Sequence, residues 1–332
     1  MQRLTLALRV IRHLLWIVLG GAAVAAHAAQ SPFPVRPVRL IVPNVPGGAT
    51  DIIARQLQMK ISELWGQPVI VDNRAGASGG IAFALAAKAP PDGYTLLVSS
   101  VSITVVETTL AKTLGSKPSR DLTGVTSTIE LPHLFIVNPA VPATSVKGLV
   151  DYVKKTGARL NYATSAVGTY TQLDAIRFLK AAGIEMTVVP YKGGAGQFIP
   201  AVIGNEAQVT MVNMASSVPH VRAGRMKALA TTWPTRRPEL PEVPTMTESG
   251  FPGIGTNQWN GVFAPVNVPK PLLNRIHADI VKVMDTTAMK EQLAKQFMSV
   301  VLSKTPAEFT AFLRQEVQKW RQVVIENNIA VE

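Results

Sequence analysis

Val38-Arg39-Leu40-Ile41-Val42-Pro43 is a short β-branched run, and Pro46-Gly47-Gly48-Ala49-Thr50-Asp51 follows it as a turn. Ile52, Ile53, Leu57, Ile61 and Leu64 then recur at helical spacing. Gly66-Gln67-Pro68 stops that helix, and Val69-Ile70-Val71 reads as a second strand. Gly76-Ala77-Ser78-Gly79-Gly80 is another glycine turn, opening an Ala-rich helix that runs to about Lys88. Pro90-Pro91-Asp92-Gly93 breaks it, and Tyr94 to Val98 is a third strand ending in Ser99-Ser100. Strand, turn and helix alternating in this way predict an α/β fold with a parallel sheet covered by helices on both faces. Ligands of such sheets sit at the carboxyl ends of the strands, where the βα turns gather.

The plan recurs from Leu134 onward. Leu134 to Val137, Leu160 to Ala163, Thr187 to Pro190 and Gln208 to Val212 read as strands. Helical spacing links them over Ser145 to Lys155, around Leu173, Ile176 and Leu179, and around Ile199, Val202 and Ile203. A Pro/Arg-rich loop covers Trp233 to Pro244, and Trp259 to Ala264 is strand-like. Two long helices close the chain. The last opens on a capping box with Thr305 as N-cap, Pro306 at N1 and Glu308 at N3. No repeat of fixed period is present, only two halves of similar architecture.

The 332 residues exceed one core of ordinary size and suit two lobes. Charged residues make up 16% of the chain, which argues against disorder. There is no cysteine, which excludes disulfides, thiolate metal sites and cysteine nucleophiles. Arg3, Arg9 and Arg12 precede an apolar run from Leu14 to Ala26, and Ala26-His27-Ala28 has the small-x-small pattern of a signal-peptidase site. The run is shorter than the roughly 18 residues that a spanning helix needs. Residues 1–28 therefore read as a cleaved signal peptide, and the mature protein as exported and soluble. Losing the three arginines lowers the formal charge from +12 to +9. No Lys/Arg block of the kind that tracks phosphates is present, so nucleic acid is not an expected partner.

Three turns share one design, strand then glycines then helix: Pro46 to Asp51, Ser165 to Thr169, and Tyr191 to Gly194. Free N–H groups at a helix start favour an anion, and glycine lets a ligand approach the backbone. Gly76 to Gly80 is a fourth example, and two such turns in each half, facing one another, would clamp a carboxylate. Gly47 to Asp51 lacks the Gly-Lys-Ser/Thr ending of a P-loop, and Asp51 reads as a helix cap. Gly76-Ala77-Ser78-Gly79-Gly80 matches G-x-S-x-G, so a serine hydrolase built on Ser78 is an alternative reading. It lacks a partner: of His133, His220 and His277, none stands in an obvious loop after a late strand. No His/Asp/Glu cluster has metal-ligand spacing, and no cofactor motif is present. Tyr170, Tyr191 and Trp259 are candidates to wall a pocket.

The chain resembles the Bug family, the substrate-binding receptors of tripartite tricarboxylate transporters. The resemblance rests on Arg36-Pro37-Val38 through Pro43, Pro46 through Arg55, Gly66-Gln67-Pro68-Val69, Asp72 through Gly76 and Pro91 through Leu96. In the second half it rests on Asn161-Tyr162-Ala163, Val189 through Gly194 and Pro219 through Gly224. It implies a type II periplasmic-binding-protein fold with a ligand cleft and hinge between two lobes, 34–134 plus 232–332 and 135–231. It further implies a small carboxylate held by backbone N–H groups and ordered water, and a membrane permease as partner. On this resemblance the ligand-binding residues are Asn44, Gly47, Gly48, Ala49, Thr50 and Asp51 in the first turn, Ser99 after the third strand, Ser165, Val167, Gly168 and Thr169, and Tyr191, Gly193 and Gly194. The N–H groups of Gly48, Ala49, Thr50, Gly168 and Thr169 are expected to meet the carboxylate, and Tyr191 and Asn44 the rest of the ligand. The chain departs from the family at Asn44, Tyr170 and Gln172. A periplasmic sensor feeding a membrane kinase would use the same cleft.

Overall fold

The computed structural model describes residues 33–329, apart from Ala111 and Gly193. The expected signal peptide, residues 1–28, lies outside them. The opening unit is as read: β1 (Val38–Val42), α1 (Ala49–Trp65) and β2 (Val69–Asn73). β1 and β2 are parallel, pairing Val38 with Val69 and Val42 with Asn73. Gly66 ends α1 in the left-handed region at φ 62°, and its N–H bonds the Ser62 carbonyl. After a short turn come α2 (Gly80–Ala87), β3 (Thr95–Ser100), α3 (Ser102–Thr109), α4 (Pro118–Asp121) and β4 (Leu122–Leu131).

At Pro132 the chain passes to a second sheet. There β5 (His133–Val137), α5 (Val146–Thr156), β6 (Asn161–Thr164), α6 (Tyr170–Ala182), β7 (Thr187–Pro190), α7 (Ala195–Ile203), β8 (Val209–Asn213), α8 (Met214–Arg222) and β9 (Lys227–Thr231) follow in turn. The chain then returns through 232–257 to β10 (Gln258–Pro265), α9 (Lys270–Met284), α10 (Thr287–Ala294), β11 (Ser299–Val300) and α11 (Pro306–Glu326).

The first sheet is six-stranded in the order β11-β4-β10-β3-β1-β2, and the second five-stranded in the order β7-β6-β8-β5-β9. Neither is wholly parallel. β1, β2 and β3 are parallel, but the returning β10 runs antiparallel between β3 and β4. β6 is parallel to β7 and β8, whereas β5 is antiparallel to β8 and β9. The antiparallel strands are those through which the chain passes from one sheet to the other, so crossing reverses direction.

Strand alternation builds the cores. In β5, Phe135 and Val137 join a cluster with Tyr162 and Phe178, while Leu134 and Ile136 join one with Phe198 and Val218. Both faces of the second sheet are thus covered. The return segment packs here too, Met246 on the first cluster and Leu240 and Val243 on the other. The sequence reading grouped everything after residue 231 with the first half; the apolar contacts of Leu240, Val243 and Met246 lie with the second sheet.

The N-cap of α11 forms as expected, Thr305 Oγ1 accepting from Glu308 N–H at 3.1 Å, but Glu308 Oε2 accepts from Lys304 N–H, one residue before the cap, at 2.7 Å. The helix then lays Phe309, Leu313 and Trp320 on the first sheet's core. It approaches so closely because β10 offers Gly261 beneath Phe309; a Cβ there would fall inside the Phe309 ring. Gly261→Ala is therefore expected to destabilise the fold by about 1–3 kcal/mol, the usual cost of overpacking. A urea melt with a lowered midpoint and unchanged slope would show this, and an unchanged midpoint would count against the close packing.

Candidate functional site

The carboxyl ends of β1, β2, β6 and β7 open onto one cleft of about 1400 Å³. Its first-sheet wall is the β1–α1 turn from Pro43 to Thr50, the β2–α2 turn from Ala75 to Gly79, and Ser100. Its second-sheet wall includes Ser165, Ala166, Val167, Thr169, Tyr170 and Thr171 of the β6–α6 turn, with Lys192, Gly194, Ala195 and Gly196 beyond β7. His133 of β5, Asn213 of β8 and Gln258 of β10 also line it.

Helices α1 after Gly48, α6 after Thr169 and α7 after Gly194 begin at the cleft without a side-chain cap, as do α2 after Gly79 and α3 after Val101. Their first-turn N–H groups have no intrahelical acceptor, and each helix start carries partial positive charge. At α1, Asp51 turns back and accepts from Gly47 N–H at 2.9 Å. At α6, Gln172 Oε1 accepts from Gly168 N–H at 2.7 Å in the same way. The N–H groups of Ala49, Thr50, Tyr170 and Thr171 stay uncommitted within their helices.

The cleft's side chains match this polarity. Among the described residues no Asp or Glu lines it, while Lys192 and Arg225 do. Both are exposed, and neither forms an ion pair among the described residues. Asp51 is adjacent but occupied by Gly47 N–H, Arg55 Nε and Asn73 Nδ2. Burial pushes its carboxyl up, but these hydrogen bonds outweigh that and hold it below the ordinary carboxylate range.

A hydrogen-bonded chain runs behind the cleft. Asn260 Nδ2 donates to Thr50 Oγ1 at 2.9 Å, and Gln258 Nε2 donates to Asn260 Oδ1 at 3.0 Å. Tyr170 OH donates to Gln258 Oε1 at 3.3 Å, so the 3.1 Å contact with His133 has Nε2–H donating to the Tyr170 oxygen. Each link fixes the next. Thr50 accepts from Asn260 and keeps its own hydroxyl hydrogen to give, and His133 carries its proton on Nε2. Burial holds His133 neutral, its pKa lowered to about 3, and pushes the Tyr170 hydroxyl up.

Of the residues read from sequence, Asn44, Gly47, Gly48, Ala49, Thr50, Ser165, Val167, Thr169 and Gly194 line the cleft. Asp51, Ser99, Gly168 and Tyr191 do not. Asp51 is buried in the bonds just described. Ser99 is fully buried on β3, where alternation turns its neighbour Ser100 to the cleft. Gly168 packs on Thr109 and Leu110, and its carbonyl accepts from Thr109 Oγ1 at 2.7 Å. Tyr191 packs on the second sheet's core beside Ala195. Gly193 lies outside the described residues. Sequence reasoning missed Ser100, His133, Thr171, Lys192, Asn213 and Gln258. The alternation of Gln258 and Asn260 on a strand was the one available signal for that pair.

Ser78 adopts φ 52° in its turn and donates to the Val167 carbonyl at 3.2 Å. Among the described residues no imidazole or carboxylate accepts its proton. Among the described residues no group of three or more His, Asp or Glu could hold a metal ion.

The sequence model of the family described as tripartite tricarboxylate transporter family receptor matches residues 53–329. Protein BugT of Bordetella pertussis is 32% identical over 311 residues, covering 93% of this chain and 95% of that protein. Among solved structures, one from R. palustris with adipate superposes with a TM-score of 0.83 at 31% identity, covering 90% of this chain and all of the other. MatC from Rhodopseudomonas palustris with bound malate gives 0.79 at 28% identity, covering 88% of this chain and all of the other.

His133 gives a pH test. Its folded pKa lies below the roughly 6.5 of an unfolded histidine, so the unfolded chain takes up the proton first as pH falls. Stability contributed by the neutral ring is whole above pH 6.5 and is lost progressively down to about 3. By pH 5 the loss is roughly 2 kcal/mol. A His133→Gln variant is expected to be less stable than wild type at pH 7.5 and to close that gap by pH 5 in denaturant melts. A gap independent of pH would show that the ring is not held neutral.

Proposed function

The chain belongs to the tripartite tricarboxylate transporter receptor family, and from that premise we propose that it is an exported receptor holding a small carboxylate in the cleft for delivery to a membrane permease. The observation that carries this reading is the convergence of uncapped helix starts, those of α1, α6 and α7 among them, on a cleft lined by Lys192 and Arg225 and, among the described residues, by no acid. Such a site stabilises an anion by oriented N–H groups. Charge-assisted hydrogen bonds contribute about 1.5–3 kcal/mol each, so a few give micromolar binding. Structural relatives solved with adipate and malate support a carboxylate as the anion. Among the described residues no helix is long and apolar enough to cross a membrane.

On this reading the two sheets are the cores of two lobes, and the hinge lies where the chain crosses, at Pro132 and after Thr231. The second lobe takes in the return segment around Leu240 to Met246 because its apolar side chains pack there. Ser78 Oγ on the Val167 carbonyl and Thr109 Oγ1 on the Gly168 carbonyl tie the lobes together across the cleft mouth. Ligand then favours the closed arrangement, and the permease reads it. The receptor holds its ligand without altering it, since among the described residues no base meets Ser78 and the buried titratable groups His133 and Tyr170 are engaged with one another.

A thermal-shift screen of residues 29–332 against mono-, di- and tricarboxylates tests the assignment. A ligand at 100 times its dissociation constant adds about 2.7 kcal/mol, or roughly 5–10 °C for a chain of this size. Stabilisation by one carboxylate class, weakened in Thr50→Val, is the expected result. Stabilisation by neutral amides or phosphates with none by any carboxylate would overturn it.

A further inference from the structure

Strand alternation on β10 puts Trp259 on one face of the sheet, where it borders a cavity of about 250 Å³ under α11 with Glu130 and Glu308. Gln258 and Asn260 take the other face and form the middle of the hydrogen-bonded chain beside the cleft. Every link of that chain runs the same way. His133 Nε2–H donates to the Tyr170 oxygen, Tyr170 OH to Gln258 Oε1, Gln258 Nε2 to Asn260 Oδ1, and Asn260 Nδ2 to Thr50 Oγ1. A chain polarised in this way has two unlike ends. At one end the Thr50 hydroxyl hydrogen has no acceptor among the described residues. At the other, His133 Nδ1 is an acceptor to which nothing donates.

Both ends line the cleft and both are buried, Thr50 at 4% exposure and His133 at 2%. A buried acceptor left bare is destabilising, so the arrangement is incomplete until something in the cleft supplies a donor to Nδ1 and an acceptor to Thr50. The Thr50 hydroxyl stands beside the open N–H groups of Ala49 and Thr50 at the start of α1, where the acceptor is a carboxylate. His133 comes from β5 and meets a different part of the ligand, which must carry an N–H or O–H. Burial keeps the ring neutral, so its lone pair stays free to accept. An ammonium donor fits poorly: Lys192 and Arg225 line the cleft, no acid does so among the described residues, and the helix starts carry partial charge of the same sign. A neutral hydroxyl meets no such repulsion.

We propose that the cleft selects a hydroxycarboxylate, whose carboxylate accepts from Thr50 Oγ1–H and whose hydroxyl donates to His133 Nδ1. The ligand then closes the open chain into a ring of hydrogen bonds. This inference rests on the cleft being a carboxylate site, and it adds His133 as the residue that reads the hydroxyl.

Isothermal titration of the purified protein with matched acids tests it: lactate against propionate, malate against succinate, and citrate against tricarballylate. Within a pair that binds, the hydroxy acid is expected to be at least about tenfold tighter than its deoxy partner, the scale of leaving a buried acceptor unpaired. The keto acids pyruvate and oxaloacetate and the amino acids alanine and aspartate are expected to bind more weakly than the hydroxy acid of the same skeleton. His133→Gln keeps a donor at the ε position for Tyr170 but has no acceptor at the δ position. It is expected to bring the two members of a pair within about twofold of one another. Nitrogen NMR of imidazole-labelled wild type needs no variant. The Nδ1 resonance of His133 is expected at the position of a bare, unprotonated nitrogen, and to move upfield with the hydroxy acid and not with the deoxy acid. Equal affinities within a pair would overturn the hydroxyl assignment and leave the carboxylate receptor standing. A proton found on Nδ1, or an amino acid that binds more tightly than the hydroxy acid, would overturn it as well. If none of these acids binds up to about 10 mM the inference falls, and the receptor reading falls with it only if the wider carboxylate panel also fails.

Discussion

The structure turns on what is done with the backbone N–H groups at helix starts. Each α-helix leaves its first N–H groups without an intrahelical acceptor, and a side-chain cap stabilises by about 1 kcal/mol. α5, α10 and α11, which do not line the cleft, use that device through Ser145, Thr286 and Thr305. Of the helices that open onto the cleft, α1, α6 and α7 do not, whereas α8 is capped by Asn213. At α1 and α6 a substitute preserves order without consuming the donors. The third helical residue, Asp51 or Gln172, reaches back to the N–H just before the cap, on Gly47 or Gly168. The turn is pinned from behind and its forward-facing N–H groups stay available.

In the structure the buried polar chain from Thr50 to His133 joins the two turns. Its members come from α1, β10, α6 and β5, so it crosses from one sheet to the other at Tyr170. Tyr170 and Leu173 also pack in the first sheet's core although α6 belongs to the second half of the chain. Polar and apolar contacts thus act at the same place. A large residue at position 170 is therefore a bridge between halves. The same helix carries Asp174, fully buried and pushed up to about 6, which accepts from Thr256 Oγ1 at 3.1 Å.

Much of this was legible in the sequence, and the failures have physical causes. Glycine turns flanked by β-branched runs and helical periodicity placed β1 to β3, β6 to β8 and the intervening helices. The cap of α11 was readable residue by residue. α3 was not, because Ser102 to Thr109 is rich in Val, Ile and Thr, poor helix formers that here form a helix with all but its first residue buried. β4 was also missed: its interrupted alternation follows from register shifts against β10. For the site, the turns were visible because the β–glycine–α signal is local. His133, Gln258 and Asn213 come from other strands, and only topology brings them to the cleft. Gly168 shows a different limit: it stands in a turn the sequence marked, but its N–H donates to Gln172 and it does not line the cleft.

Charge illustrates the same separation between local and tertiary information. A formal +12 describes the whole chain, yet the two cavities carry opposite signs. The cleft draws its positive character from Lys192, Arg225 and helix starts, and its one nearby acid is neutralised by Arg55. The cavity under α11 is acidic because β4 brings Glu130 and α11 brings Glu308 to its wall, and among the described residues no base lines it. A count of Lys and Arg against Asp and Glu averages these environments away. The alternation of β10 separates them in space: adjacent residues, Gln258 and Trp259, point into surroundings that favour opposite charges.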